Sequence, residues 1–114
     1  MGDSEALLTR LYEAFNRKDI EAVIEALHPE VTWRNLLGAD RLHGREAMRL
    51  MWREQFKIFD PEATPISFTS LPDGRMEVRI AYVVRNLDGR LFTEEIATNT
   101  YSFKDGLIVD MEWD

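Results

Sequence analysis

The chain has 114 residues, with Lys+Arg 14 against Asp+Glu 21 and a net charge of −7. At 45% apolar and 31% charged residues the composition is that of a globular protein, sized for a single domain over 1–114. The acidic balance argues against a nucleic-acid partner, whose affinity needs a basic face. No apolar run reaches the ~18 residues of a membrane span, and MGDSEALLTR has no signal-peptide core, so no membrane association is expected. A cysteine count of 0 removes disulfides, thiol nucleophiles and thiolate metal sites, and fits a cytoplasmic setting.

Leu7, Leu8, Leu11 and Phe15 recur at helical spacing, with Asp3 or Ser4 placed to cap the first turn. Asp19 starts a second helical face, Ile20, Val23, Ile24 and Leu27, predicted to stop at His28-Pro29 because the residue before proline avoids helix. Residues 31–35 alternate and predict a short strand, and 37–41 a loop. Gly44 opens a third helix over 45–59, with Met48, Trp52, Phe56 and Phe59 on one side, ended by Asp60-Pro61. Arg45, Arg49, Arg53 and Lys57 line that helix every four residues. They read as a solvated basic stripe offset by acids, from Asp110, Glu112 and Asp114 or from a partner chain. Beyond residue 60 the chain turns β-branched and aromatic, punctuated by Asp73-Gly74, Asp88-Gly89 and Asp105-Gly106, each a hairpin signal with positive φ expected at both residues. Between them, 75–87 and 90–104 predict two long, bent strands.

Within 75–87, Val78, Ile80, Tyr82 and Val84 form an apolar face, and Arg79, Ala81, Val83 and Arg85 a mixed one. Neither face is cleanly polar. Cover on both sides is therefore expected, by the helices on one and by a second copy in a homodimer on the other. A solvated face of high β-propensity is the alternative.

Three segments, Leu11-Tyr12-Glu13-Ala14-Phe15-Asn16-Arg17-Lys18-Asp19, Ala26-Leu27-His28-Pro29-Glu30-Val31-Thr32-Trp33 and His43-Gly44-Arg45-Glu46-Ala47-Met48, resemble the nuclear transport factor two-like superfamily, the ketosteroid-isomerase-like or SnoaL-like domains. The resemblance spans nearly the whole chain. It implies an α+β cone-shaped roll, with three N-terminal helices packed on a long, curved mixed/antiparallel sheet around an apolar pocket. Matching positions imply that Trp33, Asn35, Arg79, Ala81, Val83, Glu95, Ala97, Asn99, Tyr101, Val109, Met111 and Trp113 face inward, with Phe15, Trp52 and Phe56 as helix-side walls. The implied ligand is a small apolar or aromatic molecule. Isomerase, cyclase or epoxide-hydrolase-type chemistry without a cofactor is one implied activity; a non-catalytic ligand-binding or protein-association domain is the alternative.

By the same resemblance, the steroid-isomerase base corresponds to Asn35, an amide with no basic site near neutrality. The oxyanion-hole acid corresponds to Asn99 and its phenol to Leu11, which leaves Tyr12 about 100° round the helix. Trp33, Asn35 and Arg79 resemble part of the limonene-epoxide-hydrolase set, with Ala81 where an aspartate would stand. Strand parity then turns Glu95 inward, toward a pair with Arg79 that Asn35 and Asn99 would support; a structural cross-strand ion pair is the alternative. His43, just before Gly44, is a candidate general acid/base beside the plainer reading of a hydrogen-bonded loop histidine. His28 reads as a helix-end cation. No histidine spacing suits a metal, and no phosphate-binding glycine motif occurs.

Overall fold

A computed structural model describes residues 2–34 and 40–113. In chain order it runs α1 (Gly2–Asn16), α2 (Ile20–Glu25), β1 (Leu27–Arg34), β2 (Arg41–His43), α3 (Gly44–Ile58), β3 (Phe59–Ser70), β4 (Met76–Asn86), β5 (Leu91–Lys104) and β6 (Leu107–Trp113). The strands form one curved, unclosed sheet ordered β2-β1-β6-β5-β4-β3, antiparallel throughout except between β1 and β6. Helices pack on one face of it, giving the α+β roll that the sequence implies. The core is the apolar stripe of α1 (Leu7, Leu8, Leu11) and Met48 and Trp52 of α3 against Val31, Val78, Ile80 and Ile108 of the sheet.

Local chemistry sets the element ends. Asp19 caps α2, its side chain accepting from the Ala22 N–H at 3.2 Å. That helix stops short of the predicted His28-Pro29 boundary. Leu27 instead pairs with Ile108, whose N–H donates to the Ala26 carbonyl at 3.0 Å, and the Arg45 guanidinium donates twice to the Leu27 carbonyl. Pro29 brings no N–H to the ladder, and the register shifts between Leu27 and Thr32. Gly44 enters α3 at φ +85°, a conformation that disfavours any residue with a Cβ.

β3 was not legible as a strand, because Pro61 and Pro65 fall inside it. It is an edge strand, where a missing N–H costs no ladder bond. Its free edge is held by the α1–α2 turn: the Asn16 side chain donates to the Ala63 carbonyl and accepts from the Ala63 N–H, both at 2.8 Å. Lys18, at φ 62°, donates to the Pro61 carbonyl at 2.7 Å and pairs with Asp60.

Of the three Asp-Gly turns, Asp105-Gly106 alone has positive φ at both residues, the two-residue hairpin loop expected. At 72–74 and 87–89 only the glycine is positive. These are three-residue loops closed by Leu71 N–H to Arg75 carbonyl and Asn86 N–H to Arg90 carbonyl bonds, both 2.8 Å. The resulting register pairs Val78 with Asn99, Ile80 with Ala97 and Tyr82 with Glu95, so even positions of β4 share a face with odd positions of β5.

Three residues of the basic stripe have partners other than Asp110 and Glu112, and Asp114 lies outside the described residues. Arg45 holds the Leu27 carbonyl, Arg49 pairs with Glu21 and Glu46, and Lys57 with Glu54. Asp110 and Glu112 pair with Arg41.

Replacing Asn16 by Ala leaves both Ala63 backbone groups without their partner. Chemical denaturation is expected to show a loss of about 2 kcal/mol, and a loss below about 0.5 kcal/mol would mean that the clamp is dispensable.

Candidate active site

The inner face of the roll gathers hydrogen-bonding groups inside an aromatic shell. On α1 the buried stripe includes Tyr12, which lies between Leu8 and Phe15 on the core side. Tyr101 of β5 faces it from the sheet, and their hydroxyl oxygens stand 2.6 Å apart. Asn99, two residues back on the same face of β5, donates its side-chain N–H groups to both hydroxyls at 3.4 Å. Around them Trp33 lies edge-on to Tyr101 and Trp52 at centroid distances of 6.0 and 5.4 Å, and Phe15 to Trp52 and Phe56 at 6.4 and 5.6 Å.

Burial falls along β5 from Tyr101, fully enclosed, through half-buried Asn99 and Ala97 to exposed Glu95. Access from solvent is therefore from the Glu95 end. Glu95 sits opposite Tyr82 in register, and the Tyr82 hydroxyl accepts from the Gln55 side chain at 3.4 Å. Trp113 of β6 lies opposite Asn99, and Met111 opposite Tyr101.

Several expected site residues are brought together: Phe15, Trp33, Trp52, Phe56, Asn99, Tyr101, Met111 and Trp113 form the inner cluster, with Ala97 beside it. Others are not. Arg79, Ala81 and Val83 face the opposite side of the sheet, because the apolar residues Val78 and Ile80 between them take the core. Arg79 is opposite Thr98 and Ser67, so the expected Arg79–Glu95 pair cannot form across the sheet. His43 is exposed, opposite Thr32, while its neighbour Leu42 pairs with Trp33 on the inner face. The register shift between Ser102 and Phe103 puts Ile108, not Val109, in the core. Asn35 lies outside the described residues. His28 serves no helix end: its ring accepts from the Glu30 N–H and meets Asp105 at 3.3 Å.

Tyr12 was set aside in favour of Leu11 on the sequence, yet it supplies the inward phenol. Its spacing of four from Leu8 and three to Phe15 is the signal that places it on the buried stripe. Tyr82 and Gln55 carried no signal apart from Tyr82's place on the apolar face of its strand.

Two shallow depressions lie away from this cluster. One of about 310 Å³ runs along β4 and β5 by Ala81, Tyr82, Val83, Glu94, Glu95 and Ile96, and another of about 400 Å³ follows α1 by Gly2, Glu5, Ala6, Thr9 and Arg10. At its inner end the roll is filled by its aromatic side chains, with Trp33 and Trp52 exposed by 7% and 5%. Among the described residues no group of acidic and histidine side chains is placed to hold a metal.

Against sequence families, the profile of the SnoaL-like domain matches residues 8–111. The chain belongs to this SnoaL-like family. Solved structures agree on the fold. The SnoaL-like chain is similar to an NTF2-like protein of unknown function from Burkholderia pseudomallei (22% identity, 100% of this chain and 91% of that one covered, TM-score 0.84). It is likewise similar to a putative polyketide cyclase from Pseudomonas putida (18%, 100% and 91%, TM-score 0.85). A third likeness is to SalBIII, an epoxide hydrolase/cyclase-like enzyme in pyran ring formation in the polyether salinomycin (18%, 96% and 87%, TM-score 0.83). No curated protein matches the sequence.

Electrostatics of the SnoaL-like site follow from burial. Desolvation pushes the Tyr12 phenol from 10 up to about 12, against the opposing pull of the Tyr101 and Asn99 hydrogen bonds. Tyr101, more deeply buried, is raised further by the same cause and by its proximity to Tyr12. Burial also raises Tyr82, and the Glu95 charge adds to it. All three phenols are thus neutral hydrogen-bond donors at neutral pH. Since the folded-state pKa of Tyr12 exceeds its unfolded value, the associated stability is complete below pH 10 and is lost as pH rises through about 12. Urea unfolding is expected to show this loss setting in near pH 10. Tyr12→Phe is expected to lose about 3 kcal/mol less than the wild type over that alkaline range, and equal losses would place the Tyr12 phenol in water.

Proposed function

We propose that the roll binds a compact apolar or aromatic compound, its oxygen on the Tyr12–Tyr101–Asn99 cluster, and stabilises negative charge on that oxygen in isomerase- or cyclase-type chemistry. The observation that carries this reading is the composition of the cluster. Two phenols and an amide N–H₂ meet in an aromatic enclosure, and the one phenolic proton left over by their mutual contact can donate to a developing oxyanion. Fixed neutral donors in a dry site stabilise charge developing on an oxygen far better than water does, because they need no reorganisation. Apolar walls from Phe15, Trp52 and Phe56 suit a ring system lying over Ala97.

Glu95 lies four residues along β5 from Asn99, about 14 Å of extended strand. It is too distant to take a proton from the carbon next to a carbonyl held on the donors, so it addresses the far end of the ligand. The steroid-isomerase pairing of base and oxyanion hole is accordingly not the reading favoured here. Neighbours described as polyketide cyclase and as epoxide hydrolase/cyclase-like support the reaction class.

A thermal-shift screen with steroids, terpenoid epoxides, polyketide-like aromatics and small acids tests the reading. A ligand at 100 times its Kd adds about 2.7 kcal/mol and is expected to raise Tm by roughly 10 °C. Tyr12→Phe is expected to weaken that ligand about tenfold. A hit indifferent to Tyr12 would contradict the proposal.

The outer sheet face supports a second copy of the chain as partner. Ala81, Val83 and Ile96, the last 54% exposed, make an apolar centre there, flanked by Arg79 and Arg85 on β4 and by Glu62 and Glu94 on either side of Val83. Two-fold pairing sets unlike charges around that centre. Light scattering is expected to show a dimer for the wild type and a monomer for Ile96→Lys; a monomeric wild type would contradict it. Because the fold needs no disulfide, a cytoplasmic location suits this reading.

A further inference from the structure

Among the described residues, the group formed by Tyr12, Tyr101, Asn99 and Trp113 keeps two polar hydrogens without an acceptor. Whichever of Tyr12 and Tyr101 donates across their 2.6 Å contact, the other hydroxyl keeps its own proton, and the side chain next to both, Asn99, offers them N–H groups. The second is the Trp113 indole N–H, which is buried and has no hydrogen-bond partner among the described residues. Trp113 stands directly opposite Asn99 on the neighbouring antiparallel strand, so the two side chains lie next to each other on the inner face. The Arg34 guanidinium, itself held by Glu112, lies 4.9 Å from the centre of the Trp113 ring and restrains its orientation. Buried donors are seldom left unpaired in folded proteins, and one that is unpaired calls for an acceptor from water, an ion or a ligand.

We propose that the Trp113 indole N–H is a second ligand-anchoring donor, sharing one ligand oxygen with the free phenolic proton, and that it selects oxygens carrying full negative charge. The ligand class is then a phenol or enol taken up as its anion, since a phenolate or enolate oxygen has lone pairs for several donors at once. Hydrogen bonds to a charged acceptor are worth about twice those to a neutral one, so the indole favours the anion over a carbonyl of the same shape. This rests on the reading of Tyr12, Tyr101 and Asn99 as the ligand's oxygen site, and adds a residue that the reading does not need.

The probes are 4-nitrophenol, whose colour reports its ionisation, and 4-nitrobenzaldehyde as its neutral counterpart. In ¹H–¹⁵N spectra of the full chain, the indole resonance of Trp113, assigned through contacts with the Asn99 side chain, is expected to move downfield as 4-nitrophenol binds. The probe is expected to bind as the anion at a pH below its own midpoint. Trp113→Phe is expected to weaken the anion about tenfold and the aldehyde about threefold or less. If that variant fails to fold, the indole shift in the wild type decides. An unmoved Trp113 resonance, or a Trp113→Phe variant that binds the anion unchanged while Tyr12→Phe weakens it, overturns the role of Trp113 and leaves the oxygen site standing. Absence of saturable binding to the wild type, or binding that neither substitution weakens, overturns both.

Discussion

The contact between the Tyr12 and Tyr101 hydroxyls governs how the first helix sits on the sheet. Two phenols could not be buried separately in this core without each losing its hydrogen bonds to water, a cost of several kcal/mol per group. Paired at 2.6 Å, each satisfies part of the other, and the contact joins α1 to β5. Trp33, Trp52, Phe15 and Phe56 pack edge-to-face around that point, and Met76 and Met111 flank Tyr101 from the adjoining strands. An apolar pair of the same shape would hold the helix with less risk, because a half-satisfied polar pair is a liability in a core. Keeping two hydroxyls and an amide there is easier to understand as equipment for a ligand than as a source of stability.

The ion pairs lie elsewhere. Lys18 with Asp60 closes the α1–α2 turn onto β3, its ammonium 5.9 and 5.5 Å from the Phe15 and Phe56 ring centres, and Arg41 with Asp110 and Glu112 ties β2 to β6. What the Tyr12–Tyr101–Asn99 cluster itself offers is fixed dipoles. Such a site is well suited to charge that appears on a substrate oxygen during reaction. It is poorly suited to lifting a proton from carbon, for which a base must stand within about 3 Å. This division separates the protein from the steroid-isomerase arrangement more firmly than any single amino-acid difference.

Much of this architecture could be read from residue patterns, and the failures have identifiable causes. Asp19 as the start of α2, Gly44 as the entrance to α3 and the two long strands after Asp73-Gly74 and Asp88-Gly89 were all legible, since each depends on local chemistry. β3 was hidden by Pro61 and Pro65, which argue against a strand until its place at the sheet edge is known. Among the site residues, Ala97, Asn99 and Tyr101 of β5 lie on the inner face, Glu95 is exposed, and the β4 set is reversed. The alternation of Val78, Ile80, Tyr82 and Val84 makes the even face the more apolar of the two, whereas the resemblance implies odd positions inward. Three-residue loops and a bulge between β4 and β5 then join even to odd positions, a shift that no count of residues between turns reveals. Tyr12 is missed because the resemblance sets the family's phenol position at Leu11, while the spacing from Leu8 and to Phe15 sets Tyr12 on the buried stripe.

The account is tested most directly by titrating the three tyrosines through their ¹³Cζ resonances in selectively labelled protein. Tyr82 and Tyr101 should ionise above the ordinary phenol value and Tyr12 at about 12, with Tyr12 and Tyr101 moving each other's signals as they do so. Three independent transitions clustered at 10 would show phenols open to water and separate from one another, and the donor cluster on which the functional reading stands would not exist.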